Sequence, residues 1–191
     1  MSLRHTTLGG LVCTTFLIAA SALFAQSAAS EKFTATATVK GAGGAEATAP
    51  VTLIVDHKMS QAEADKLLAA FKSGGAAGFR KALTGIAPTG SVKVGAGKAT
   101  PTRVTIERTT DKGRLLTMVT DRPVLFLGAG IPGAKPKAGY DFAVIDLEVD
   151  AKGAGSGTIA PAAKVTVKDG AFAVEDYGGE VVRLTKVVPS K

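Results

Sequence analysis

From residue 31 onward the chain repeatedly alternates apolar and polar residues with a period of two, and this pattern constrains its fold more than any other feature. Phe33, Ala35, Ala37 and Val39 alternate with Thr34, Thr36 and Thr38, and Ala143, Ile145, Leu147 and Val149 lie opposite Asp146, Glu148 and Asp150. Successive side chains of a strand point to opposite faces, so this pattern describes strands buried on one side only. An antiparallel sheet accepts one wet face, whereas the strands of a parallel sheet are covered on both and read as continuous apolar runs. Further strand-like runs occur at Val51 to Val55, Val92 to Val94, Val104 to Ile106, Leu115 to Thr120, Val124 to Leu127, Val165 to Val167 and Val181 to Val188. Thr110-Asp111-Lys112-Gly113 reads as a turn, and Asp169-Gly170 between two alternating runs is a strong hairpin signal. Gly155-Ser156-Gly157 reads as loop.

One region breaks the rhythm. Ser60 followed by Glu63 is a capping-box pattern, in which each side chain satisfies a backbone N–H of the other. Ala64, Leu67, Leu68 and Phe71 then recur at helical spacing, Gly74-Gly75 ends the run, and Phe79, Ala82, Leu83 and Ile86 share the face of a second arm that stops at Pro88. The expected fold is therefore α+β: a mainly antiparallel curved sheet of about eight to ten strands, forming a sandwich or open barrel, with one helical hairpin at 60–86. Pro50, Pro101 and Pro161 each follow a glycine-rich stretch and precede a Val-Thr strand, as suits a residue that cannot donate to the ladder.

The first 25 residues differ from the rest. Arg4 precedes an apolar stretch from Leu8 to Phe24, and small residues follow from Ala25. This is the pattern of a cleavable secretory leader, and Gly9, Gly10, Thr14 and Thr15 interrupt it too often for a membrane span of about 20 apolar residues. The expected organisation is a leader at 1–25, a disordered mature N-terminus at 26–30, and a single strand-rich domain at 31–191. The expected location is periplasmic or extracellular, in a bacterium, with no transmembrane segment after processing. Cys13 is the only cysteine and lies within the leader, so the mature chain has no disulfide and depends on its core.

Removing Arg4 with the leader lowers the formal net charge from +7 to +6. The charge is spread along the chain, which favours anionic surfaces. With few aromatic residues and no tryptophan, nucleic acid is not an expected partner.

No catalytic constellation emerges. His57 is the one histidine beyond the leader, and Ser60, Ser73, Ser91 and Ser156 lie outside any G-x-S-x-G motif. A histidine-rich or cysteine-based metal centre is excluded on residue count, and neither a metal nor an organic cofactor is expected. Gly128-Ala129-Gly130-Ile131-Pro132-Gly133 fits G-x-G-x-x-G, but Pro132 and Pro136 stand where the phosphate-binding helix would begin. The segment from Gly128 to Gly139 reads instead as a long surface loop, a place where function often resides. Asp146, Glu148 and Asp150 read as a solvated outer face.

The candidate ligand-binding residues are Lys135 and Lys137 in that loop, Tyr140 at its edge, Arg122 beside Asp121, and His57. The expected function is that of a non-enzymatic binding or structural module at the cell envelope, with an anionic envelope component as partner. The alternatives are a carrier of a small apolar molecule or lipid, and a hydrolase using His57.

Overall fold

The structure is a computed structural model that describes residues 29–40, 44, 46–124, 138–168, 171–176 and 181–190. The whole leader at 1–25, most of the glycine-rich loop including Lys135 and Lys137, and the Asp169-Gly170 link lie outside the described residues. Among the described residues there are nine strands and one helical run. In chain order these are β1 (Glu31–Lys40), β2 (Glu46–Val55), α1 (Gln61–Thr84), β3 (Gly90–Val94), β4 (Thr100–Thr110), β5 (Gly113–Thr120), β6 (Phe142–Val149), β7 (Gly155–Lys168), β8 (Ala171–Asp176) and β9 (Val182–Pro189).

Every pairing is antiparallel, as the alternation predicts. β1 to β7 pair in sequence except that α1 intervenes between β2 and β3, and β9 then inserts between β7 and β1. The result is a closed eight-stranded barrel, not the sandwich or open barrel expected. Closure removes the exposed edges that an open sheet would present. β8 stands outside the ring, paired to the second half of β7 in the register Lys168↔Ala171, which leaves two residues for the connection. Gly155-Ser156-Gly157 belongs to β7 rather than to a loop. A Cβ on Gly155 would lie 1.9 Å from the Glu148 carbonyl oxygen of β6, so only glycine lets these two strands approach at that corner.

The inward side chains form one contiguous core. Phe33, Leu53, Leu116, Met118, Ile145 and Leu184 are each at most 1% exposed. Eight strands give an interior just wide enough for side chains to fill. A second core lies outside the barrel wall, where Leu67, Phe79 and Leu83 of α1 cover Val104, Val119 and Val144. β6 is consequently buried on both faces over its first half.

One rim of the barrel is crossed by charge. Glu31 of β1 is paired with Val55, Arg114 of β5 with Val149, and Glu107 of β4 with Leu116. These partners are inward-facing core residues, so all three charged side chains point toward the barrel axis. β1 and β5 are four strands apart in either direction around the ring, so the Glu31–Arg114 pair spans its diameter. Arg114 donates to both oxygens of Glu31, at 3.0 and 2.5 Å, and to Glu107 at 2.9 Å. Lys58 lies 2.6 Å from Glu107 and 3.2 Å from Glu31. Two cations and two carboxylates thus form a cyclic clasp. The hydrogen bond from Arg114 holds the Glu31 carboxyl below its ordinary range against the opposing effect of burial, with Lys58 adding to it. Burial would raise Glu107, but Lys58 and Arg114 outweigh it and hold it low as well.

Candidate ligand-binding site

The site is set by how α1 is attached. Its N-terminus carries the full capping box: the Glu63 amide donates to Ser60 Oγ at 3.3 Å, and the Ser60 amide donates to Glu63 Oε2 at 2.8 Å. Hydrogen bonds from the Ser60 hydroxyl and from the Ser60 amide hold the Glu63 carboxyl below its usual value. The preceding link is anchored where the Met59 amide donates to the Thr105 carbonyl of β4 at 2.8 Å. At the far end Arg103 of β4 donates to the Ile86 carbonyl at 2.7 Å and to Asp121 at 2.9 Å. Between these anchors the helical geometry breaks at Gly75, with φ 57° and ψ −154°, a conformation open to glycine and costly for other residues. Phe79 packs edge-on against Phe71 at 5.8 Å and against Phe142 of β6 at 5.2 Å, pinning the helix to the wall through an aromatic ladder.

Only Leu67, Phe79 and Leu83 of α1 are buried, and this narrow ridge leaves a cleft on each flank. One cleft, of about 240 Å³, lies over the outer face of β4 and β5. Leu68, Phe79, Val104, Ile106 and Val119 line it, and Gln61, Asp65, Arg108 and Thr117 supply its polar atoms. The Gln61 amide donates to Asp65 at 2.9 Å, and Arg108 is exposed, so this apolar cleft has a cation at its edge. The other cleft, of about 290 Å³, is bounded by His57, Met59, Glu63, Lys66, Ile86 and Thr89. Thr89 is 1% exposed and belongs to a hydroxyl cluster with Thr105 at 2.8 Å and Thr102 at 3.3 Å.

Of the candidate residues from the sequence, His57, Arg122 and Tyr140 are described, and each stands in its own surroundings. His57 lines the second cleft and is exposed. Ser60 Oγ near it donates to Glu63 Oε2 at 2.7 Å, so that hydroxyl is committed to the capping carboxylate and not to an imidazole. Arg122 follows β5 and His57 follows β2, and these strands are not neighbours in the ring, since β3 and β4 stand between them. Arg122 donates to Asp121 Oδ1 at 2.9 Å, and Asp121 also receives Arg103. The Asp121 carboxyl, which burial alone would raise, is held low by these two guanidinium groups. Arg122 therefore forms the local pair that shapes its turn. Tyr140 is 6% exposed and its hydroxyl donates to the Asp176 carboxylate, which raises the phenol's pKa above its ordinary value. Asp141 beside it is paired with Arg80 of α1. Lys135 and Lys137 lie outside the described residues.

In the sequence, Leu68, Val104 and Ile106 read as core positions and Arg108 as a surface charge, not as a ligand site. The available signal was β4 itself, whose apolar Val104 and Ile106 alternate with the polar Thr105 and Glu107. Pairing with Leu116 and Met118 places Glu107 and Thr105 inward, so the apolar set faces out and requires a cover. Among the described residues no group of three His, Cys, Asp or Glu side chains is placed to hold a metal ion, and no helix is long and apolar enough to cross a membrane. No protein-family model, curated protein or solved structure matches the chain.

Proposed function

We propose that this chain is an exported, non-catalytic binding protein that holds a small amphipathic molecule between α1 and the outer wall of the barrel. The observation that carries this reading is the cleft of about 240 Å³ over Val104, Ile106 and Val119. There an apolar outer wall meets a helix that only partly fills the space. Ligand sites are commonly apolar hollows with a few convergent polar groups, of about 300–1,000 Å³, so a site this small suits a short acyl chain or a single ring. Arg108 at the edge favours a carboxylate or sulfonate on that ligand. The leader-like first 25 residues support delivery outside the cytoplasm, to the envelope or beyond it. N-terminal sequencing of protein recovered from the periplasm or medium checks this point, and material that retains Met1 would refute it.

The helical run is best understood as a hairpin of two arms. A Cβ on Gly78 would lie 2.7 Å from the Ala70 carbonyl oxygen, although the two residues are eight positions apart. Gln61 and Phe79 border the same cleft, whereas about 27 Å would separate them along a straight helix. The Gly74-Gly75 pair then forms the turn that lets the arms part and admit a ligand.

The test is displacement of the fluorophore anilinonaphthalene sulfonate by hexanoate, octanoate and decanoate. Binding should saturate at one site, and Leu68→Trp, which fills the cleft from a half-buried helix position, should weaken it at least about tenfold with the melting temperature maintained. Absence of saturable binding, or equal binding by the Leu68→Trp protein, removes the proposal.

A further inference from the structure

Among the described residues no element covers the wall opposite α1, and its composition is unlike the rest of the surface. On β1, β2 and β9 the outward positions carry Thr34, Thr36, Thr38, Thr48, Thr52 and Thr185. Their registers place hydroxyls side by side. Thr34 is opposite Thr52, Thr38 is opposite Thr48, and Thr36 is opposite Thr185. With strands about 4.8 Å apart and alternate residues about 6.8 Å apart, the hydroxyls form a two-dimensional grid. Cations frame it. Lys93 of β3 pairs in register with Thr52, Arg183 of β9 pairs with Thr38, and Lys32 lies at one end of β1. Lys186 joins them at the β9 register shift, with φ 53°. Among the outward positions of β1, β2, β3 and β9 the only carboxylate is Glu46, at the border and 3.6 Å from Lys40. Further acidic residues at the surface include Asp56 just past β2, which accepts from Ser30 at 2.9 Å, Glu175 of β8, which pairs with Lys164 at 2.7 Å, and Asp146 and Glu148 on the outward face of β6.

We infer that this wall docks an acidic, hydroxyl-rich polysaccharide. Lys93, Arg183 and Lys186 give this wall an excess of positive charge, which selects a polyanion. The grid supplies donors and acceptors at regular intervals along an extended chain, and hydroxyls serve both roles. None of the outward positions on these four strands is aromatic, so the stacking platform by which proteins hold unpaired nucleic-acid bases is missing. The apolar side chains there, Ile54, Pro50 and Val188, are scattered, and of the large apolar residues only Val188 is substantially exposed, at 46%. This gives little to insert into a lipid surface. The inference is independent of the cleft beneath α1, so either can fail without the other.

The experiment is affinity electrophoresis of the purified chain in gels containing polygalacturonate or neutral dextran, alongside sedimentation with phosphatidylglycerol vesicles. Polygalacturonate should retard the protein, dextran should not, and retardation should vanish at about 1 M salt, where charges are screened beyond about 3 Å. The Lys93→Gln/Arg183→Gln protein should bind at least about tenfold more weakly. The Thr34→Val/Thr36→Val/Thr38→Val protein keeps shape and strand preference but loses three hydroxyls, and should bind at least about threefold more weakly. Serine at the same three positions should restore binding, which separates loss of hydroxyls from any failure to fold. Equal retardation by dextran, unchanged binding by the valine protein, or vesicle binding as strong as that to polygalacturonate would each overturn the inference.

Discussion

Replacing Arg114 with methionine removes the centre of the clasp that crosses one barrel rim, and its cost can be worked from the geometry. Three hydrogen bonds disappear, two to Glu31 and one to Glu107, leaving two carboxylates that share Lys58. Charge-assisted bonds are worth about 1.5–3 kcal/mol when sheltered. These side chains remain 27–31% exposed, so solvent screening lowers the total to about 2–3 kcal/mol. For a domain of this size that is a fall in melting temperature of about 5–10 °C near pH 7. The pH dependence gives the stricter test. Glu31 and Glu107 have folded-state pKa values below their ordinary 4.5. Their contribution is complete above that value and is lost as pH falls through the depressed folded values. The difference between Arg114→Met and the parent, read from urea unfolding midpoints, should be smaller at a pH well below 4.5 than near pH 7. A cycle with Glu31→Gln should show coupling of at least about 1 kcal/mol near pH 7. An Arg114→Met cost that is the same at both pH values, or zero coupling, would refute an electrostatic clasp and leave only lost packing of the arginine stem.

Other outcomes follow from single contacts. Gly155→Ala places a Cβ 1.9 Å from the Glu148 carbonyl oxygen, and should destabilise the barrel by about 3 kcal/mol or more in urea unfolding, because backbone must move. Ser60→Ala removes one half of the capping box and should cost about 1 kcal/mol, with the first turn of α1 showing the earliest loss of hydrogen-exchange protection. Ultraviolet titration should show a tyrosine ionising above the ordinary 10.0, and this signal should disappear in Tyr140→Phe, because Asp176 accepts the phenolic proton's hydrogen bond.

Much of the barrel was legible because the inner and outer faces differ chemically. In β1 the small and apolar set Phe33, Ala35 and Ala37 is buried, and in β6 Ile145, Leu147 and Val149 are, as simple alternation requires. The capping box at Ser60 and Glu63 was equally plain, since both its hydrogen bonds are local in sequence. Closure of the ring was not legible, because the pairing of β9 with β1 joins residues about 150 positions apart and strand identity carries no address. The clasp was hidden for a related reason. Glu31, Glu107 and Arg114 look like surface charges until the register turns them inward beside Val55, Leu116 and Val149. β4 hid the cleft in the opposite way, since period two reveals that its faces differ but not which one is inside. Arg122 and Tyr140 are chemically versatile side chains, yet Asp121 and Asp176 engage them in structural bonds.

The position of β9 has a consequence for how the molecule comes into being. Until residues 182–189 are available, β1 and β7 present open hydrogen-bonding edges, and no ring exists to shelter Phe33 or Ile159. A polypeptide emerging from a ribosome, or threading through a narrow channel, must therefore wait as an incomplete sheet and can shut only in a late step that joins its two distant ends. Such long-range closure is intrinsically slow, and a slow final step keeps a chain pliable for as long as it is in transit.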